Sequence, residues 1–315
     1  MQNINIGIIG AGYIAEEHLK AIDHIDSISA NMIYSRTYDK SLDISETYNI
    51  PNVAKSFDDF LEKSNELDGI LILVSVENMF DVTKTLLPLN IPLLIEKPPA
   101  LSLTEIEELS SLGDEYKTPN MIGFNRRFYS IYHQGKKIID EHGSLQGLAI
   151  EGHERFWKIK DDLSDEVREK WLYANSSHTI DLIDFFGGEI DEINTFSNSI
   201  YERYGDQFVA SIRFKSGALG SYISNWYSPG GWSVQLFGEG VSVIFKPLEK
   251  GFWIDSDFNH HEIQPSNHDL DCKEGFIAQM ECFKNLIVNK KLEWPALSLK
   301  SSMNTMRNIE RFILK

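Results

Sequence analysis

The stretch GIIGAGYIA, Gly7 to Ala15, constrains this chain more than any other. It joins the apolar run Ile4 to Ile9 to a helical pattern with Ala15, Leu19 and Ile22 on one face. Gly10, Gly12 and Ala15 stand in GxGxxA spacing. The first glycine permits a tight strand-to-helix turn, the second lets the backbone approach a pyrophosphate, and the small third residue lets helix and strand pack closely. The helix's first-turn amides would face the anion, so Gly10, Gly12, Tyr13 and Ile14 are candidate cofactor contacts. Such spacing also occurs in ordinary glycine turns. Here the strand before, the helix after and a second strand at the right distance favour a dinucleotide site.

The same alternation continues through the first third of the chain. NMIYS, GILILVS, PLLIE and NMIGF are apolar on both faces, as in a parallel sheet covered by helices. SFDDFLEKS and MFDVTKTLL read as crossover helices, and SLTEIEELSSL opens with a capping box, Ser102 with Glu105. A doubly wound Rossmann domain is expected over 1–124. After a helix around Ile131 to Ile139 the period drops to two. In QFVASIRF, residues Phe208, Ala210, Ile212 and Phe214 share a face, and WSVQLFGEG, VSVIFKP and GFWID continue the pattern. Residues 125–315 are thus expected to form an α+β domain on a large, mainly antiparallel open sheet, for substrate binding and oligomerisation. Two helical patterns close the chain, one with Phe276, Met280, Phe283 and Ile287, the other with Leu299, Met303 and Met306. They pack either on this sheet or back on the first domain. Without a long polar linker, a cleft between the domains is the expected ligand site.

Charge removes whole classes of partner. Of 315 residues, 30 are basic and 47 acidic, a formal charge of -17 that repels nucleic acid and anionic membranes alike. Cys272 and Cys282 are too few for a disulfide framework, and no apolar run nears the roughly 18 residues of a membrane span. A cytoplasmic protein is expected. His260, His261, His268 and Cys272 gather within thirteen residues in no zinc-like spacing, so no metal is expected.

The second strand bears on cofactor choice. An NAD site usually has an acidic residue about 20 positions past the glycine loop, on the ribose 2′-hydroxyl. This chain has Ser35, Arg36 and Thr37 there. A guanidinium suits a 2′-phosphate, which favours NADP(H) over NAD(H). The competing reading is a solvated arginine after an ordinary strand.

With GIIGAGYIA, LLIEKP and IGFNRRF in this order, followed by SSHTIDLIDFFGG, WYSPGGWSVQLFGEG and EGFIAQMECF, the chain resembles the Gfo/Idh/MocA oxidoreductase family along essentially its whole length. The resemblance implies hydride transfer between a nicotinamide and a secondary alcohol or ketone of a sugar, sugar derivative or cyclic polyol. It also implies a homodimer or homotetramer formed through the C-terminal sheet. By the same resemblance, Glu96, Lys97 and Pro98 form the floor of the nicotinamide pocket, with Lys97 catalytic. Val74, Ser75 and Asn78, in place of the family's usual threonine-proline turn, and Asn125 and Arg126 contact the cofactor. His178 matches the catalytic histidine. At the start of a helical pattern, its pKa is expected to be held low by the amide dipoles. Many relatives carry an aspartate four residues earlier, where this chain has Ala174. Asn175 is a candidate substrate contact instead. Arg155 and Trp157, like Trp171, Trp226 and Trp232, lie in segments the family folds around its substrate. Asp181 is either an orienting partner of His178 or a first-turn charge. Two other classes remain open: a glycosidase of the same superfamily that uses its nicotinamide transiently, and a non-catalytic cofactor-binding module.

Overall fold

Strand β1 (Ile4–Ile9) lies within a six-stranded sheet, with β2 (Ile28–Tyr34) and β3 (Asn52–Val53) on one side and β4 (Gly69–Ile72), β5 (Leu93–Glu96) and β6 (Asn120–Gly123) on the other. The computed structural model describes residues 3–313. Every pairing in this sheet is parallel, in the order β3-β2-β1-β4-β5-β6. Every residue of β4 and β5 is buried, as strands covered on both faces require. Helices α1 (Tyr13–Asp23), α2 (Tyr38–Tyr48), α3 (Phe57–Lys63), α4 (Val76–Leu86) and α5 (Leu103–Tyr116) alternate with the strands. Strand order reverses between β1 and β4, where doubly wound sheets bind ligands beyond the strands' carboxyl ends. The predicted cap of α5 forms with a small displacement. Glu105 N donates to Ser102 Oγ at 3.3 Å, while the Glu105 carboxylate accepts from Leu101 N at 2.9 Å, one residue before the cap.

The second unit holds α6 (Ser130–Glu141), β7 (Gly147–Gly152), the short helices α7 (Phe156–Ile159) and α8 (Asp165–Glu169), and α9 (Ser177–Gly187). Seven further strands follow: β8 (Ile190–Asn198), β9 (Gln207–Phe214), β10 (Leu219–Asn225), β11 (Trp232–Gly238), β12 (Val241–Phe245), β13 (Gly251–Ile254) and β14 (His260–Ile263). The sheet runs β14-β13-β12-β11-β7-β10-β9-β8 and is antiparallel except where β7 meets β10. Phe208, Ala210, Ile212 and Phe214 all face the core, as the two-residue period predicts. On the other face of β8, β9 and β10, Phe196, Val209 and Ile223 sit side by side in register and are exposed.

The chain closes with α10 (Asn267–Asp271), α11 (Phe276–Asn289) and α12 (Leu299–Glu310). Phe276, Met280, Phe283 and Ile287 of α11 share one core with Ala15, Leu19 and Ile22 of α1. Each such side chain, once fully buried, is worth about 1.5–3 kcal/mol. Gly69 in β4 gives α11 a close seat, since a Cβ there would lie 2.7 Å from Ile287 Cδ1 and make that side chain shift. One compact unit runs to Phe128 and takes in His268–Met303; the other is Tyr129–Asn267 with the segment from Asn304. Helical periodicity showed that α11 has an apolar face but not which core receives it. Among the described residues no helix is long and apolar enough to cross a membrane.

Candidate active site

The turn after β1 has the geometry its glycines suggest. Gly10 has φ +123°, and a Cβ there would lie 2.3 Å from the Leu73 carbonyl oxygen. Gly12 caps α1 without a side-chain hydrogen bond, and a Cβ on it would meet nothing within 4 Å. Its open side leaves the backbone approachable, and Ala15 is fully buried against the sheet. Beside the turn lies a cleft of about 440 Å³. It brings together Gly10, Gly12, Ser35, Arg36, Thr37, Val74, Ser75 and Asn78, eight residues expected from the sequence. Asn78 Nδ2 donates to Ser75 Oγ at 2.7 Å, which fixes that side of the cleft. Tyr13 is not in the lining: it is exposed, with the Lys273 ammonium 4.9 Å from its ring centroid. Ile14, half-buried, is not in the lining either.

Seven further residues line the cleft, and Tyr34, Phe57 and Lys40 among them bear on what it binds. Tyr34 and Phe57, with ring centroids 5.7 Å apart, give an aromatic wall. Lys40, in the first turn of α2, adds a second cation, while among the described residues no carboxylate lines the cleft. The turn, the uncapped amides and the two cations fit a dinucleotide carrying a phosphate on its adenosine ribose.

At the end of β5, Glu96 is buried and both its oxygens are engaged. Oε1 lies 3.2 Å from Nε2 of His18, a fully buried residue of α1, and Oε2 accepts from Lys97 N at 3.0 Å. A Cβ at position 123 would come within 2.8 Å of Glu96 Oε1, so Gly123 keeps the pair intact. Glu96, expected as a cofactor contact, also fixes the backbone that carries Lys97. The Lys97–Pro98 peptide is cis, and Lys97 itself is half-buried. His18 was missed because a lone histidine on a helix's apolar face ordinarily belongs to the core. Asn125 is buried and donates from Nδ2 to the Glu274 carbonyl at 3.1 Å; Arg126 is half-buried.

In the other unit, His178 is buried with its ring 5.9 Å from that of Trp232. The helix-start reading is corrected here. A π-helical turn, Leu172–Ser176, runs directly into α9, so His178 lies well inside a continuous helical segment and the first-turn dipole does not act on it. Asp181 is not a first-turn charge either: it is buried and accepts from Thr305 Oγ1 at 2.9 Å. Ala174 is buried and Asn175 half-buried. Glu154, just past β7, is buried, accepting from Asn175 Nδ2 at 3.0 Å and from Ser176 Oγ at 3.1 Å. No reading of the sequence had singled it out. Arg155 is exposed and Trp157 half-buried, whereas Trp171 and Trp226 pack on Phe156 in the core. His261 pairs with Asp255 at 2.9 Å and stacks on Trp253.

Comparison with known proteins agrees with this architecture. Residues 4–124 match the oxidoreductase family with an NAD-binding Rossmann fold, and residues 149–244 match the GFO/IDH/MocA C-terminal domain. YceM of Salmonella typhimurium, named as an oxidoreductase, is 29% identical over 49% of this chain and 48% of its own length. The chain thus matches about half of that relative. A trans-1,2-dihydrobenzene-1,2-diol dehydrogenase of Xenopus tropicalis is 21% identical over 70% of this chain and 68% of its own. Among solved structures, a levoglucosan dehydrogenase in complex with NADH and L-sorbose superposes with a TM-score of 0.83 at 14% identity, covering 99% of this chain and 96% of that one. An oxidoreductase from Desulfitobacterium hafniense described as NADPH-dependent gives a TM-score of 0.84 at 16% identity, covering 99% and 95%. With both of its domains matched and a nucleotide cleft behind the first strand, this chain belongs to the Gfo/Idh/MocA family of NAD(P)-binding oxidoreductases.

Proposed function

We propose that this protein is an NADP(H)-preferring dehydrogenase or reductase acting on a secondary alcohol or ketone of a sugar, sugar derivative or cyclic polyol. The observation that carries the cofactor preference is the cleft rim, with Arg36 and Lys40 and, among the described residues, no carboxylate. Two cations offer charge-assisted hydrogen bonds to a 2′-phosphate, while a ribose 2′-hydroxyl finds no acidic acceptor. The relatives that act on a dihydrodiol and on levoglucosan support a polyol or sugar substrate.

The nicotinamide, when bound, supplies the hydride acceptor or donor. Lys97, held by Glu96 and Pro98, is proposed to polarise the substrate oxygen, and His178 to carry its proton. In its charged form Lys97 stabilises developing alkoxide rather than taking a proton. That division leaves His178 as the base. The exposed row Phe196, Val209 and Ile223 supports self-association through the outer face of the second sheet. The two free thiols, Cys272 and Cys282, support a reducing, cytoplasmic setting.

The test is kinetic, on levoglucosan, L-sorbose and related polyols and ketoses with either cofactor. Lys97→Ala should lower turnover about 100-fold or more while leaving NADPH affinity within a factor of about three. Undiminished turnover refutes the mechanism. Free sugar released without net change in cofactor absorbance would instead identify the glycosidase reading.

A further inference from the structure

We propose that Glu154 is a positioning residue that turns the carbonyl oxygen of Asn175 toward the substrate, so that this enzyme selects neutral polyols and sugars over sugar acids. The proposal rests on the reading that substrate is processed at His178, and deepens it. Glu154 is buried and accepts from two donors at once, Asn175 Nδ2 at 3.0 Å and Ser176 Oγ at 3.1 Å. An ionised carboxylate is acceptor-only, so the Asn175 amide must present its NH₂ group inward. Its Oδ1 is then aimed away from Glu154, and it accepts no hydrogen bond among the described residues. Asn175 is only half-buried, within the π-helical turn that leads to His178.

Two consequences follow for recognition. An amide oxygen fixed in this way accepts a hydroxyl hydrogen but has nothing to offer a carboxylate. The Glu154 carboxylate behind it disfavours an anionic group further. The methyl side chain of Ala174, where many relatives have an aspartate, carries neither charge nor a hydrogen-bonding atom. Acceptor function at this edge of the helix thus falls to Asn175, held by a carboxylate from a different element. Ser176, fully buried, shares that carboxylate, so the π-helical turn is tied to the end of β7 at two consecutive residues.

Wild type, Glu154→Leu and Glu154→Gln should be compared on the neutral sugar or polyol that is turned over and on its uronic or aldonic acid counterpart. Loss of one neutral hydrogen bond predicts that Glu154→Leu raises KM for the neutral substrate about tenfold, with kcat within about threefold and NADPH affinity unchanged. Preference over the acid should fall by at least the same factor. Glu154→Gln can still accept from Asn175 while donating to Ser176, so it should rescue KM yet relax rejection of the acid. A merely structural glutamate would lower melting temperature, kcat and NADPH affinity together, and that pattern overturns the proposal. Should Glu154→Leu fail to fold, the Gln variant decides through acid rejection, and unchanged rejection counts against the proposal. Proton exchange of the Asn175 side-chain amide, assigned by its loss in Asn175→Asp, needs no turnover. Slow exchange in the wild type is expected, and fast exchange overturns the positioning. A wild type inactive on every alcohol tested, yet with a protected amide, would sink the functional reading and leave the positioning standing.

Discussion

Each unit of this molecule buries a glutamate that supports a residue proposed for the site, and the two are held differently. Glu96 ends a central parallel strand, with one oxygen on a fully buried histidine and the other on the backbone amide of Lys97. Glu154 follows an interior strand of the mixed sheet and holds two side chains of a π-helical turn, Asn175 and Ser176. The first carboxylate fixes backbone and leaves its neighbour's side chain to act. The second fixes side-chain orientation, which backbone geometry alone leaves open. Damage at Glu96 should therefore appear first as lost stability, and damage at Glu154 as altered selectivity.

The largest expected effect tests the first half of this contrast. Glu96→Ala leaves His18 buried without its acceptor, at about 1–3 kcal/mol. At roughly 2–4 °C per kcal/mol for a protein of this size or somewhat smaller, calorimetry should show a melting temperature lower by several degrees. Lys97→Ala, one residue on, should leave the melting temperature nearly unchanged. Equal melting temperatures for the two variants would break the distinction between a backbone anchor and a working side chain.

Next in size is cofactor choice, which the comparison places wholly in the first unit. Arg36→Ala combined with Lys40→Ala should raise KM for NADPH at least tenfold and KM for NADH by less than about threefold, as expected for charge-assisted bonds to a phosphate that NADH lacks. The Glu154 variants should show no such discrimination. An equal loss for both cofactors would place these cations away from the 2′ position.

A smaller, pH-dependent effect belongs to the second unit. Burial raises the pKa of Glu202, but the paired hydrogen bonds from Arg168 and the one from Tyr227 outweigh it and hold the carboxyl below its ordinary value. A carboxyl with a depressed folded-state pKa contributes stability above its unfolded pKa of about 4.3, lost as pH falls through the folded value. Arg168→Ala should shift the acid-unfolding midpoint upward and change little at pH 7–8 beyond the lost pair itself. The smallest effect is at Asp255, whose hydrogen bond to His261 and bonds from Asn259 keep it well below the usual carboxylate range. His261→Ala should return its pKa toward the ordinary value in a carbon-13 titration with only a small change in melting temperature, because the pair is partly exposed.

Much of the first unit was legible because its signals are local. The glycine spacing, apolar runs buried on both faces and the Ser102 cap each depend on a few neighbouring residues, and the structure forms them all. The second sheet was read only in part. QFVASIRF has a strict period and was recognised, whereas GLAIEG is short and begins and ends with glycine, and IDEINTFSN at the sheet edge is polar enough to pass for a loop. The dipole argument at His178 failed because a π-helical turn hides where the helical segment begins.

Periodicity and turn chemistry, properties of short stretches, determined the fold class from the sequence by itself. The motifs that carry the family resemblance added the family and, with the glycine turn and second strand, eight residues lining the cleft. Tertiary structure decided the rest. It assigned α11 to the core around α1, brought Lys40 to Arg36's side of the cleft, and paired His18 with Glu96 across 78 positions and Asn175 with Glu154 across 21. A buried carboxylate is stable only with its donors in place, and in both pairs folding brings those donors in from distant parts of the chain.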